Sequence, residues 1–341
     1  MSAPGEPRQE PLSDALRVVF FGTPLFAVPT LEALASTPDL CPILVVSQPS
    51  RPAGRGRRLA DPAVVEAARR LELAVEQPAR VRAADFMERL EGLAPDVAVV
   101  VAFGQIFRRR LLDLPRFGCV NLHGSLLPRW RGAAPIQWSI ASGDATTGVT
   151  TMRMDRGLDT GPMLLRSELP IGPTDTSEDL APRLAALGAS MMIDTLRGLA
   201  RGTLSPTPQD DASATLAPLL ERSDGAVDWS WPAQRIYDRW RGFRPWPGLS
   251  ARLADRPLKL KQLSLPAAEV ASDEVSAGAA APGTVLGTDG GALLVVCGDG
   301  RILRLERLQR SGKQAVDGVD LLNGERLELP LRFDLAAETD A

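Results

Sequence analysis

Apolar positions along this chain fall into two regimes. From Arg17 to about residue 200, near-continuous apolar runs alternate with segments whose apolar residues recur at helical spacing. RVVFFG leads through a Gly-Thr-Pro turn into a helix carrying Leu31, Leu34 and Ala35 on one face. Further runs at 42–49 (PILVVSQP), 95–104 (PDVAVVVAFG), 118–123 (GCVNLH) and 149–154 (VTTMRM) read as strands. Helices are expected over 60–73, with an acid and a proline at its start, and over 178–200, where a strongly apolar stretch closes the first domain. Valine-rich runs between helices predict a parallel sheet covered on both faces.

The pattern changes after residue 200. Residues 202–218 are rich in turn formers and polar side chains, as in a linker. Beyond it, PLKLKQLSL, GTVLG, GALLVVC and GRILRLERLQ are short alternating or apolar segments divided by glycines, which predicts a small antiparallel barrel with a long loop near 266–282. The expected organisation is a disordered tail at 1–16, a catalytic domain at 17–203, a linker at 204–222 and a second domain at 223–335.

Composition narrows the class. The chain has 341 residues, 44% hydrophobic and 24% charged, with no apolar run approaching the roughly 18 residues of a membrane span. The first sixteen residues lack the apolar stretch of a signal peptide, so a cytoplasmic protein is expected. Cys41, Cys119 and Cys297 lack metal-site or disulfide spacing and read as buried thiols. Neither a GxGxxG nor a P-loop motif occurs, which points away from NAD and ATP, and no catalytic metal is expected.

His123 is the only histidine, hence the only candidate for imidazole acid–base chemistry. It follows Asn121 by two residues on an expected strand, so both side chains share a face at the strand's carboxyl end. An amide that can donate to a carbonyl oxygen gaining charge, beside an imidazole that can exchange a proton, suits acyl transfer to an amine. A carboxylate to orient the ring could come from Asp155 or Asp159 in DRGLDTGPML, although either could be a turn former.

The segments GTPLFAVPTLEAL, SQPSRPAGRGRRL, VVVAFGQI, GCVNLHGSLLPRWRGAAPIQWSI, TGVTTMRMDRGLDTGPML, VDWS and FRPWP resemble the successive signatures of the methionyl-tRNA formyltransferases, from about Arg17 to Gly324. The resemblance implies a Rossmann-like α/β parallel-sheet domain followed by an all-β OB-like barrel that binds tRNA. It implies an enzyme that transfers formyl from 10-formyltetrahydrofolate to methionyl initiator tRNA; a monomer is expected. Asn121, His123 and Asp159 then match the catalytic trio; Ser125, Leu126, Leu127 and Pro128 match the turn lining the folate site; Phe26 matches an aromatic near the methionyl side chain. The alternative is a formyltransferase for an amino sugar nucleotide or purine precursor with the same trio.

Arg51, Arg55, Arg57 and Arg58 crowd a glycine-punctuated loop, which the resemblance assigns to the tRNA acceptor arm. Ser50 stands where the family usually has an aspartate, and Leu219 where it usually has a lysine. Between Arg235 and Lys261, eight basic residues (235, 239, 241, 244, 252, 256, 259 and 261) face two acids, Asp238 and Asp255. Arg239, Arg241, Arg244 and Lys261 are the expected phosphate contacts, with Arg301, Arg304, Arg307 and Lys313 extending the surface. Trp240, Phe243 and Trp246 are expected to serve packing rather than base stacking.

Overall fold

The computed structural model describes Leu12 and residues 14–53, 58–266 and 280–334. Most of the expected tail at 1–16 thus lies outside the described residues, as do Arg55, Arg57 and most of the expected 266–282 loop.

Two units form. The first takes the chain up to Pro135 together with 146–170 and 179–218. Its strands are β1 (Leu16–Gly22), β2 (Leu40–Val46), β3 (Arg51–Ala53), β4 (Arg58–Ala60), β5 (Val75–Glu76), β6 (Val97–Val101), β7 (Cys119–His123), β8 (Arg131–Gly132), β9 (Thr146–Arg153), β10 (Met163–Pro170) and β11 (Leu216–Ala217). Its helices are α1 (Val28–Ala35), α2 (Ala63–Arg70), α3 (Ala84–Gly92) and α4 (Arg109–Leu112); α5 (Pro135–Ala141) and α6 (Ser177–Arg201) are shared between the units. Seven strands make one sheet in the order β10-β9-β7-β6-β1-β2-β5.

The α/β layering follows from the apolar runs: β6 is buried at every position. The sheet is not wholly parallel, because β9 runs antiparallel to β7 and β10 antiparallel to β9. Burial alone carries no strand direction, so the Val and Thr runs could not reveal this. One face of the sheet packs Val19, Phe21, Val46 and Val100 against Phe86 and Leu90 of α3. Phe21 meets Phe103 and Phe107 edge-on at centroid distances of 5.3 and 4.9 Å.

Helix α6 positions the site from behind. Leu180, Leu184, Met192 and Leu196 are buried at four-residue spacing, and Gly188 completes the row. A Cβ at Gly188 would lie 2.5 Å from a methyl of Leu122, so only glycine lets the helix approach β7 this closely. Leu122 therefore points toward α6, and strand alternation sends Asn121 and His123 to the opposite face.

The segment expected to be a linker is built into the first unit. β11 pairs in parallel with β8, and Thr207 exchanges two backbone hydrogen bonds with Met163 at 2.8 Å. Only from Leu219 does the chain stay in the second unit, which also takes 136–145 and 171–178.

The second unit contains α7 (Ala233–Gly242), β12 (Leu249–Leu253), β13 (Arg256–Ser264), β14 (Thr284–Asp289), β15 (Ala292–Val296), β16 (Ile302–Arg310), α8 (Gly318–Glu325) and β17 (Leu331–Arg332). Its six-stranded sheet, ordered β12-β13-β16-β15-β14-β17, is antiparallel throughout. A bridge between Leu253 and Phe333 joins the two edges at one point, giving a partly closed barrel. Leu258, Leu260, Leu293, Val295, Leu303 and Leu305 fill it.

Candidate active site

Three parallel strands, β1, β6 and β7, end at the same edge of the first sheet. The order changes direction between β1 and β6, the crevice where open α/β sheets receive ligands. Loops at this edge are tied together: the Gln48 amide donates to the Phe103 carbonyl at 3.0 Å, and Thr23 Oγ1 to the same oxygen at 3.3 Å.

His123 closes β7 and is 6% exposed. Its Nε2 lies 2.8 Å from the Trp130 carbonyl oxygen. A carbonyl only accepts, so Nε2 carries the hydrogen, and in the neutral ring Nδ1 holds the lone pair. Nδ1 is 3.7 Å from Asp159 Oδ2, within ion-pair range but beyond a hydrogen bond. That carboxylate oxygen accepts the Gly132 N–H at 2.8 Å. Asp159 itself sits at φ +55°, a conformation aspartate tolerates better than most residues.

The other aspartate has a local duty. Asp155 Oδ1 accepts from the Gly157 N–H at 2.9 Å and the Thr160 hydroxyl at 2.7 Å, closing its own turn. Geometry thus separates two carboxylates that local sequence pattern, apart from the family resemblance, left equivalent.

Asn121 Nδ2 donates to the Val100 carbonyl at 3.2 Å, while its Oδ1 is buried with no hydrogen-bond partner among the described residues. An unsatisfied buried amide oxygen is costly, and its presence beside His123 fits a cleft that receives a polar group. The adjacent turn is rigidly held. Thr150 Oγ1 donates to the Ser125 carbonyl at 2.7 Å and accepts the Leu127 N–H at 3.1 Å. Ser125 and Leu127 are fully buried, so Leu126, Pro128 and the backbone are what this turn can present. Phe26, half-buried, follows β1 on a short 3-10 turn at the same edge.

Of the arginine loop, Arg51 is exposed on β3, which pairs with β4 as a small antiparallel ribbon. Ser50 donates its hydroxyl to Asp61, which also pairs with Arg69, and these two contacts lower the Asp61 carboxyl below its ordinary range. A carboxylate thus stands beside the loop, supplied from position 61 rather than 50.

The expected basic surface of the second unit is divided. Lys259 and Lys261 are exposed, and Arg244 is half-buried beside Glu178 at 3.2 Å. Arg239 is half-buried over the Trp231 and Phe243 rings, where burial depresses its pKa. Arg241 is a correction: it is 4% exposed, bonded to Asp238 at 2.5 Å and to the Asp175 carbonyl at 2.7 Å, so its charge is spent inside the fold. Arg304 pairs with Asp289. Trp240 and Phe243 are buried packing rings, whereas Trp246 is 49% exposed.

Sequence reasoning missed Gln209, which bonds to the Asp159 loop, and Arg131, which bonds to Gln209. The turn-rich composition around Gln209 contains no signal that would single it out. Among the described residues no group of three or more His, Cys, Asp and Glu side chains could hold a metal ion, and no helix is long and apolar enough to cross a membrane.

Residues 16–196 match the formyl transferase family, and residues 219–326 match the formyl transferase C-terminal domain. The chain is 48% identical over 314 residues to the methionyl-tRNA formyltransferase of Acidobacterium capsulatum, spanning 92% of this chain and 97% of the relative. It is 49% identical over 311 residues to that of Anaeromyxobacter dehalogenans, spanning 91% and 97%. The solved N-formyltransferase from Helicobacter canadensis, a complex with folinic acid and dTDP-3-aminofucose, is similar over 85% of this chain and 98% of that one, with a TM-score of 0.59. At 15% identity, this last likeness is one of fold.

Proposed function

The chain belongs to the methionyl-tRNA formyltransferase family, and from that premise we propose that it moves the formyl group of 10-formyltetrahydrofolate onto the α-amino group of methionyl initiator tRNA. The observation that carries this reading is the near full-length match to methionyl-tRNA formyltransferases, second domain included. It favours tRNA over an amino sugar nucleotide, because the solved N-formyltransferase complexed with dTDP-3-aminofucose is only 15% identical to this chain, a likeness of fold.

Asn121, His123 and Asp159 carry the chemistry. The folate supplies an activated formyl group, held against the turn Ser125–Pro128, and Phe26 packs near the methionyl side chain. Nδ1 of His123, the nitrogen with the lone pair, takes the proton from the attacking amine and returns it to the departing nitrogen. Asn121 donates from its amide toward the formyl oxygen as that oxygen gains charge. The Asp159 carboxylate faces Nδ1 and stabilises the imidazolium between the two transfers. Arg51, Arg55, Arg57 and Arg58 meet the acceptor arm, while the second domain binds phosphates further along the tRNA.

Incubating the protein with methionine-charged initiator tRNA and 10-formyltetrahydrofolate should yield formylmethionyl-tRNA, resolved on an acid gel. Formylation of an amino sugar nucleotide with the charged tRNA left unmodified would replace the reading with the alternative.

A further inference from the structure

Gln209 follows α6 on a stretch whose neighbours, residues 205–208 and 210, are exposed. Its side chain nevertheless makes a full set of bonds inward. Nε2 donates to the carbonyl oxygens of Asp159 at 2.8 Å and Gly161 at 2.7 Å, using both hydrogens, and Oε1 accepts from Arg131 Nε at 3.0 Å. Arg131 is 7% exposed and is also held by Asp211 at 2.7 Å. Three consecutive residues therefore meet three parts of the site. The Trp130 carbonyl holds His123, the Arg131 guanidinium holds Gln209, and the Gly132 N–H holds the Asp159 carboxylate. The Asp159 loop is irregular, so its carbonyls need donors from elsewhere, and Gln209 supplies two of them.

We propose that Gln209 is a positioning residue for the transfer reaction: its amide, braced by Arg131, fixes the Asp159 loop so that the carboxylate faces Nδ1 of His123. The proposal rests on the formyl transfer described above and adds a residue that never touches substrate. A carboxylate displaced by about an ångström loses much of its effect on the imidazolium, whereas ground-state binding of either substrate is little altered.

Gln209→Glu is nearly isosteric, keeps the Arg131 partner and replaces the one donating nitrogen, Nε2, by a carboxylate oxygen facing both carbonyls. Gln209→Met, made alongside it, removes the donors without adding charge. In the full chain, each should lower kcat about 10- to 100-fold, with both KM values within about twofold and the melting temperature well above that of the assay. On an Asp159→Asn background the same substitutions should change kcat by less than about threefold, because the carboxylate they position is already gone.

Wild-type kcat in either folded variant would overturn the proposal. So would a full multiplicative loss on the Asp159→Asn background, which would show that Gln209 acts by another route. If Gln209→Glu does not fold, Gln209→Met decides. Losses in both that merely track the fraction folded would make the role structural and sink the proposal. Wild-type protein inactive on charged initiator tRNA would instead defeat the underlying reading, and that assay precedes any variant.

Discussion

The two nitrogens of His123 are unlike, and that difference gives the residue a direction. With Nε2 tied to the Trp130 carbonyl, only Nδ1 can work as a base. His123→Ala, Asn121→Ala and Asp159→Ala should each slow formyl transfer by roughly 10²-fold or more while the fold survives. Near-normal turnover by folded His123→Ala protein, measured with both substrates saturating, would refute the assignment. The three cysteines separate just as clearly. Cys119 and Cys297 are each 1% exposed, and burial pushes their thiols up to about 12, whereas Cys41 is exposed on β2. Only the thiolate reacts, so an aromatic disulfide reagent should titrate one thiol quickly in native protein and three after denaturation. Rapid modification of all three in the native state would contradict this burial. The expectation of three buried thiols was wrong for Cys41, because β2 alternates between faces near its start and position 41 falls outward.

Individual elements hold this site through few contacts. The β8–β11 pair depends on Gly132, whose φ is +126° and whose Cβ, if present, would sit 2.5 Å from the Ala217 carbonyl oxygen. Gly132→Ala should therefore separate the pair, shift the N–H that holds Asp159 and lower turnover by more than it lowers stability. Activity per folded molecule, with folding followed by circular dichroism, checks this; unchanged specific activity would count against the coupling. Before β2, Asp39 receives two hydrogen bonds from Arg197 of α6, at 2.7 and 2.8 Å, and is 4% exposed. The guanidinium holds its carboxyl down from 3.8 to about 2. A lowered folded-state pKa means that the unfolded chain binds the proton first, so this stabilisation is complete above about pH 4 and disappears as pH falls toward 2. Asp39→Asn should cost roughly 2 kcal/mol at neutral pH and progressively less below pH 4, as measured by denaturant unfolding across that range. A difference independent of pH would mean that charge is not the cause.

For the whole molecule, the question is which cations remain for tRNA. A buried pair is weakened most when one partner is removed, so Arg241→Ala should lower the stability of the second unit by about 3–5 kcal/mol and leave the salt dependence of tRNA binding unchanged. Replacing Lys259 and Lys261 together by glutamine should do the reverse, flattening the plot of log affinity against log salt with little effect on melting. Titrating charged initiator tRNA at several salt concentrations distinguishes the two; a flatter slope for Arg241→Ala would show that the arginine leaves its pocket to bind.

Local periodicity and motif spacing by themselves determined the βα layering, the short alternating strands of a second sheet after α6, and the pairing of Asn121 with His123. Each depends on neighbours a few residues apart, and side-chain alternation is a local property. Tertiary structure alone decided the rest. It brought Asp159, 36 positions from His123 in sequence, to 3.7 Å from that ring while Asp155 closed its own turn, and it drew the turn-rich stretch around Gln209 against the Asp159 loop. It also turned Arg241 inward and left Lys261 outside. Charge and composition record how many such groups exist, but partner and exposure depend on contacts between distant segments, which no local pattern contains.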